Sequence, residues 1–289
     1  MKAPNFAYCR PSSLAEALDI LSTQDGAVPL AGGQSLMAGL NLRLSSPEML
    51  VDLGALDDLR GISEDGHCVR IGALTTHAEV MQAPIVHRFL PLVAAAARYV
   101  GHVAIRNRGT IGGSLAYADP AAELPACCVA LQASIVAESG AGRREIPASQ
   151  FYKGLFETAL APGELIVEVR VPKQRPDAHW GFAELARRQG DYALAGLAAV
   201  VEKDDKQIKA ADLVYFGGGD CACRARSMED RLRGLLVPLS SAEWFVELLA
   251  ADLRPLDTPG LSARTKLRLA AALTLRVIND LHPGPDLSA

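Results

Sequence analysis

Apolar residues recur at helical spacing over residues 14–21, and Ser13 with Glu16 three positions on forms a capping box, so the chain is expected to open on a helix. The apolar run 28–31 reads as a short strand. It ends in Gly32-Gly33, after which Ser35 starts a second helix with Leu36, Leu40 and Leu44 on one face. Residues 50–53 read as another strand, completing a βα-alternating zone that ends near Asp57. The next zone, 59–171, starts with a hairpin in which Asp65-Gly66 separates 59–62 from 69–71. Thr76 and Glu79 cap a further helix, and an Ala-rich helix is expected over 89–100, stopping at Gly101. The following stretch, HVAIRNRGTIGGSLAYADPAAELPA, is expected to be irregular backbone, and so many glycines are costly there without a task. Strands return at 134–137 and 165–171. Beyond Pro172, KQRPDAH reads as a linker, and a hairpin of 194–202 and 208–216 closes on the charged turn KDDKQ. Leu- and Ala-rich helices complete the chain. The pattern predicts an α+β protein: a domain over 1–172 in two subdomains, about 1–57 and 58–172, and a smaller antiparallel sheet-and-helix domain over 177–282.

Composition narrows the function. Hydrophobic residues make up 49% of the 289, enough for a substantial core, and 29 basic against 33 acidic side chains give a formal net charge of −4. No basic block or aromatic-spaced basic stripe occurs, so nucleic acid is not an expected partner. The first residues lack the apolar run of a signal peptide, and stretches such as LPLVAAAARYV are too short and interrupted to span a bilayer, so a cytoplasmic protein is expected. Cys9, Cys68, Cys127, Cys128, Cys221 and Cys223 fit neither a disulfide framework nor iron–sulfur spacing, and His67, His77, His87, His102, His179 and His282 fall at no metal-ligand spacing. Redox chemistry on this chain would therefore need an organic cofactor.

Two glycine pairs suit such a cofactor. The pyrophosphate of a dinucleotide needs hydrogen-bond donors, which backbone N–H groups at a turn or helix start supply, and glycine lets the backbone come close. Leu30-Ala31-Gly32-Gly33-Gln34-Ser35-Leu36 offers this arrangement between strand and helix, and Thr110-Ile111-Gly112-Gly113-Ser114 repeats the glycine pair between hydroxyls. Two such loops could clamp one pyrophosphate from opposite sides with their amides. Each pair by itself is equally compatible with a tight turn.

AGGQSL near residue 31, RNRGTIGGS near 110, DPAAELPA after it and RRQGDYALAG near 190 together resemble the FAD-binding medium subunits of carbon monoxide dehydrogenase and related bacterial molybdenum hydroxylases. The flavin domain of xanthine dehydrogenase is similar. The resemblance runs through nearly the whole chain. It implies a two-subdomain FAD-binding domain of the vanillyl-alcohol oxidase type, followed by a C-terminal domain special to this group. It further implies noncovalent FAD, with Leu30 to Leu36 and Thr110 to Ser114 around the pyrophosphate, Glu123 on the adenosine ribose and Asp119 as second candidate for that work. Ile166 would lie beside the adenine, and Tyr192 near the isoalloxazine ring, gating access to it. The implied partners are a large molybdenum-cofactor subunit and a small subunit with 2Fe-2S clusters, in a dimer of heterotrimers, with an external electron acceptor. No residue of this chain would then act as general acid or nucleophile.

The sequence departs from xanthine dehydrogenase where a lysine stands near the flavin: here it reads Phe182-Ala183-Glu184, with Arg187 and Arg188 as the nearest candidate cations. Phe216-Gly217-Gly218-Gly219-Asp220 lacks the G-x-G-x-x-G spacing and is expected to be a strand-end turn. Two other functions remain open at this point: an autonomous flavin oxidase of a small alcohol or amine, and a noncatalytic nucleotide-binding subunit.

Overall fold

The computed structural model describes residues 2–285. The chain opens with β1 (Ala7–Cys9), α1 (Leu14–Thr23), β2 (Ala27–Leu30), α2 (Leu36–Asn41) and β3 (Met49–Asp52). The three strands form a parallel sheet in the order β1-β3-β2, with Met49 opposite both Ala7 and Ala27. Parallel neighbours require crossover connections, which the two helices supply. Ser13 caps α1 as expected, accepting from the Glu16 amide, but the Glu16 carboxylate turns to Ser12, taking its amide at 2.7 Å and its hydroxyl at 2.9 Å. The second helix is shorter than its apolar spacing suggested. Arg43 takes a left-handed φ of 58°, so Leu40 is buried while Leu44 lies beyond the helix, 76% exposed.

The next strands, β4 (Ile62–Asp65) and β5 (Cys68–Gly72), form the expected hairpin, with Gly66 and His67 at its tip. Thr76 and Glu79 close a reciprocal capping box on α3 (His77–Gln82). The single helix expected over 89–100 is two, α4 (Pro84–Phe89) and α5 (Pro91–Ala97). Pro91 can start a helix but cannot continue one, having no N–H and a ring that collides with the preceding turn. The segment expected to be irregular is mainly helical: α6 (Val103–Arg106), α7 (Ile111–Tyr117) and α8 (Glu123–Ala130). Its glycines serve close packing, since a Cβ on Gly112 would stand 2.6 Å from that of Ala73. There follow β6 (Ser134–Ser139), β7 (Gly142–Pro147), α9 (Ala148–Phe151), β8 (Tyr152–Gly154), β9 (Glu157–Thr158) and β10 (Leu165–Pro172). An antiparallel sheet of order β4-β5-β10-β6-β7 results, and β8 pairs with β9 apart from it. Strand β7, GRREIP, was not foreseen: only Ile146 is buried, so this edge strand carries no apolar alternation.

The C-terminal part contains β11 (Ala178–Leu185), β12 (Ala195–Asp204), β13 (Gln207–Phe216), β14 (Cys223–Arg224), α10 (Arg226–Leu232), α11 (Phe245–Asp252) and α12 (Ala263–Asn279). The strands form one antiparallel sheet in that order. Strand β11 begins inside the stretch expected to be a linker and was likewise unforeseen. Leu197, Leu213 and Tyr215 pack one face of the sheet on Met228, Phe245, Leu273 and Val277 of the helices. Ala198, Val214 and Phe216 join the core that includes Cys127 and Cys128 of α8. Burial on both faces explains why β12 reads AGLAAVV rather than alternating. Phe216-Gly217 ends β13 in a turn, as expected, and Arg187 and Arg188 lie exposed in a bend after β11. The mixed helix and sheet content and the antiparallel C-terminal sheet agree with the α+β expectation.

One buried hydrogen bond ties this sheet to its cover. The Thr274 hydroxyl donates to the Ala270 carbonyl at 2.8 Å, so the Tyr215 hydroxyl, 2.6 Å away, is the donor to Thr274. Thr274→Val leaves the Tyr215 hydroxyl without an acceptor and is expected to destabilise the chain by about 1–3 kcal/mol in urea unfolding. Among the described residues, no helix is long and apolar enough to cross a membrane, and no His, Cys, Asp and Glu cluster could hold a metal ion.

Candidate functional site

A cleft of about 490 Å³ opens where the carboxyl end of β2, the loop after β5, the start of α7, β10 and the segment after β11 meet. Ala31, Gly32, Gly33, Gln34, Ser35 and Leu36 line it from one side, and Thr110, Gly112, Gly113 and Ser114 from the other. Asp119, Glu123, Ile166 and Tyr192 line it further along. Leu30 and Ile111 do not. Leu30 packs beneath the first loop, its Cδ1 3.3 Å from the position of a Cβ on Gly33, and Ile111 is buried in the core.

The two glycine loops touch. A Cβ on Gly32 would stand 2.0 Å from the Arg108 carbonyl oxygen, and one on Gly113 would stand 3.4 Å from the Ala31 Cβ. Gly33 has φ 73°, where a side chain is strained. Their donors differ sharply. None of the five amides from Gly32 to Leu36 has an acceptor among the described residues; Met37 is the first in this loop to bond, to Gly33. In the second loop four of the five amides are engaged: Ile111 donates to Thr75, Gly112 to Ala73, Gly113 to the Thr110 hydroxyl oxygen and Ser114 to the Thr110 carbonyl, while that of Thr110 has no acceptor among the described residues. Of the main-chain amides expected to meet one diphosphate, the second loop therefore keeps only that of Thr110 unpaired. The first loop has free donors. The second has a side-chain-free flank at Gly113 and the Ser114 hydroxyl, its Ile111, Gly112 and Gly113 amides being taken by Thr75, Ala73 and the Thr110 hydroxyl.

Two carboxyl groups line the inner cleft. Asp119 accepts the Ala121 amide at 2.9 Å, and burial raises its pKa. Glu123, at the first position of α8, is pushed up to about 8, mainly by burial, with Glu184 and Asp119 nearby adding to the shift. Glu184 itself is pushed up to about 7 by burial, and its Oε2 is enclosed without a partner. Such a pair of acids favours a ligand that brings hydroxyl donors. Ile166 sits where the β10 ladder slips between Ile166 and Glu168, and it lines the cleft together with Leu165. Tyr192 stands 70% exposed at the outer end beside Gly190 and Asp191. Arg187 and Arg188 are not part of the lining.

His77 is among the lining residues that escaped the sequence. His77 is 3% exposed, its Nδ1 has no partner, and its amide donates to the Gly109 carbonyl. Burial, reinforced by Arg106, lowers its pKa to about 4, so the ring is neutral. The sequence offered one clue: His77 is the first residue of a capped helix just after a strand end, where ligands of α/β folds commonly lie.

The residues present fit a dinucleotide: unpaired amides in a cradle that a Cβ would fill, then acids, then an apolar wall. This defines a nucleotide-binding α+β protein with an added antiparallel sheet domain. Residues 4–174 match the family described as the FAD binding domain in molybdopterin dehydrogenase, and residues 180–281 match the CO dehydrogenase flavoprotein C-terminal domain. The nicotine 6-hydroxylase medium subunit of Paenarthrobacter nicotinovorans is 38% identical, with 96% of this chain and 98% of that one covered. Solved structures agree. Carbon monoxide dehydrogenase from Hydrogenophaga pseudoflava superposes with a TM-score of 0.91 at 35% identity, covering 96% of this chain and 98% of that one. Quinoline 2-oxidoreductase from Pseudomonas putida 86 gives 0.91 at 38% identity, covering 96% and 97%. The chain belongs to the family of FAD-binding medium subunits of molybdenum hydroxylases and is an oxidoreductase subunit with an FAD-binding domain.

Proposed function

We propose that this chain is the electron-transfer subunit of a heteromeric molybdenum hydroxylase, taking electrons from 2Fe-2S clusters of a small partner and passing them to an external acceptor. Substrate oxidation would take place at the molybdenum cofactor of a large partner, in a cytoplasmic complex that is a dimer of heterotrimers. FAD, held noncovalently, supplies a carrier that accepts and releases electrons singly or in pairs. The domain division proposed is 1–172, with subdomains about 1–57 and 58–172, and 177–282, close to the spans of the two family matches.

The observation that carries this reading is the run of unpaired amides from Gly32 to Leu36 in a cleft that also holds Gly112 and Gly113. These amides would take the pyrophosphate, with the Ser35 and Ser114 hydroxyls beside them. Gly113, whose bare side faces Ala31 of the first loop, would let the phosphates lie close to the helix backbone, with Gly112 packed on Ala73 behind it. Glu123 would accept from the ribose hydroxyls, with Asp119 alongside, and Ile166 would give the adenine an apolar wall. Tyr192, exposed at the far end, would cover the approach to the isoalloxazine ring. No side chain is assigned as acid, base or nucleophile. The chain's work is placement and exclusion of water.

Purified chain mixed with FAD and gel-filtered is expected to keep a flavin spectrum that acid precipitation releases in full. With copurifying partners, the complex's own substrate should bleach that absorbance; without them it should not. Steady oxidation of a small alcohol or amine by the isolated chain would replace this proposal with an autonomous oxidase. Failure to retain any flavin would leave only a structural role.

A further inference from the structure

A second cavity, of about 170 Å³, lies in the C-terminal part between the end of β13, the turn 217–222 and helices α11 and α12. Its walls are mainly apolar, with Tyr215, Phe216, Leu253, Leu267 and Ala270 contributing. For scale, an apolar cavity of about 150 Å³ holds a benzene ring. Gly218 and Gly219 border it with open space where a Cβ would stand, and their amides have no acceptor among the described residues. Packing does not explain these glycines.

Lys266 is the charge that sets this cavity apart. The residue is 8% exposed and lines the cavity, yet its ammonium forms no hydrogen bond or ion pair among the described residues. The stem is covered while the ammonium keeps contact with water, so an unpaired cation stands at the edge of an apolar space, free to meet an anion. Helix stability does not explain it: Lys266 follows Ser262, the N-cap of α12, by one turn, at the end of a helix that favours anions. Three other charged residues line the space, Asp220, Asp252 and Arg254. Asp252 is engaged elsewhere, its carboxylate taking the Ser227 amide at 2.7 Å and its carbonyl facing the Cys223 thiol at 3.5 Å. Neither aspartate pairs with Lys266.

We propose that this cavity is a binding site for a compact aromatic carboxylate, about the size of benzoate, with the carboxylate on Lys266 and the ring against Tyr215, Phe216, Leu267 and Ala270. The Gly218 and Gly219 amides stand ready as additional donors to the anion. The site is separate from the nucleotide cleft. The two are joined through the Gly217 amide, which donates at 2.8 Å to the carbonyl of Pro120, the residue after Asp119.

The test is ¹⁹F NMR titration of the FAD-loaded chain with 4-fluorobenzoate and with its neutral isostere 4-fluorobenzamide. Saturable binding of the acid is expected, at least about tenfold tighter than the amide, because a charge-assisted contact distinguishes the two. Lys266→Met should weaken the acid by about tenfold or more and leave the amide unchanged, and Lys266→Arg should restore acid binding to within a few-fold. Flavin content and the melting curve of each variant report whether the fold is intact. No saturable binding of the acid, equal binding of acid and amide to the parent chain, or unchanged acid binding by a folded Lys266→Met chain would each overturn the proposal. The acid and amide comparison on the parent protein stands even if the methionine variant does not fold.

Discussion

Gly32→Ala is expected to remove FAD from the purified chain, with a retained flavin fraction at least about tenfold below the parent at equal FAD, and to destabilise the fold by about 1–3 kcal/mol. The cause is not backbone conformation. The added methyl would have to occupy space 2.0 Å from the Arg108 carbonyl oxygen, 2.7 Å from its carbonyl carbon and 2.8 Å from the Gly109 Cα. All three are main-chain atoms, so no side chain can rotate away. Either the first loop lifts off the RNRG segment or that segment moves, and both change the angle at which the free amides from Gly32 to Leu36 face the cleft. Gly39→Ala is the matched control. It lies in the next helix with no atom within 4 Å of the new methyl, and an alanine there should keep full flavin content. Absorbance ratios after gel filtration, with urea unfolding of the unliganded chains, check both. Full flavin retention by Gly32→Ala would separate the loop contact from cofactor binding.

Glu123→Gln is expected to stabilise the unliganded chain while weakening its hold on FAD. The Glu123 carboxyl is pushed up to about 8 in the fold, from an ordinary value near 4.5, mainly by burial. The folded chain therefore binds more protons than the unfolded chain between those values, so stability declines as pH rises from about 4.5 to about 8. The destabilising contribution is absent below that window and complete above it. Glutamine cannot ionise and removes it. The unliganded variant should be more stable than the parent by roughly 1–3 kcal/mol at about pH 8 and indistinguishable near pH 4.5. Binding moves the other way. A carboxylate accepts from two ribose hydroxyls at once, whereas the amide has one acceptor oxygen, so FAD affinity should drop by about tenfold or more. In the parent, affinity should rise with pH up to about 8 as the acid ionises, and the variant should lose that dependence. Fluorescence titration across this range measures both slopes. A parent affinity that is flat with pH would remove Glu123 from the ribose.

The elements most legible in the sequence were those whose signals are local. Thr76 and Glu79 close their box because a side chain three residues along a helix can reach back to the cap, whereas Glu16 finds Ser12 instead of Ser13. The hairpin of β12 and β13 follows from two apolar runs flanking a charged turn. Signals failed where neighbours decide. Strand β7 is built of GRREIP because one edge and most of its side chains face water, and β11 begins in what reads as a linker because β12 supplies its hydrogen-bond partners. Leu44 fits the helical stripe, but Arg43 ends the stripe first.

For the site, sequence alone determined which residues could come together: two glycine pairs, hydroxyls beside them, and acids after the second. Those are properties of residue types, since only glycine leaves the backbone bare and only Asp or Glu accepts without donating. Tertiary structure decided what each can still do. The amides of Ile111 and Gly112 are spent on Thr75 and Ala73, which precede them by more than thirty residues, while those from Gly32 to Leu36 are left free. His77 joined the cleft, and Glu123 was raised to about 8, only through burial by distant segments. Hydrogen-bond vacancy and desolvation depend on which groups from elsewhere in the chain arrive beside an atom, and no local window of sequence contains them.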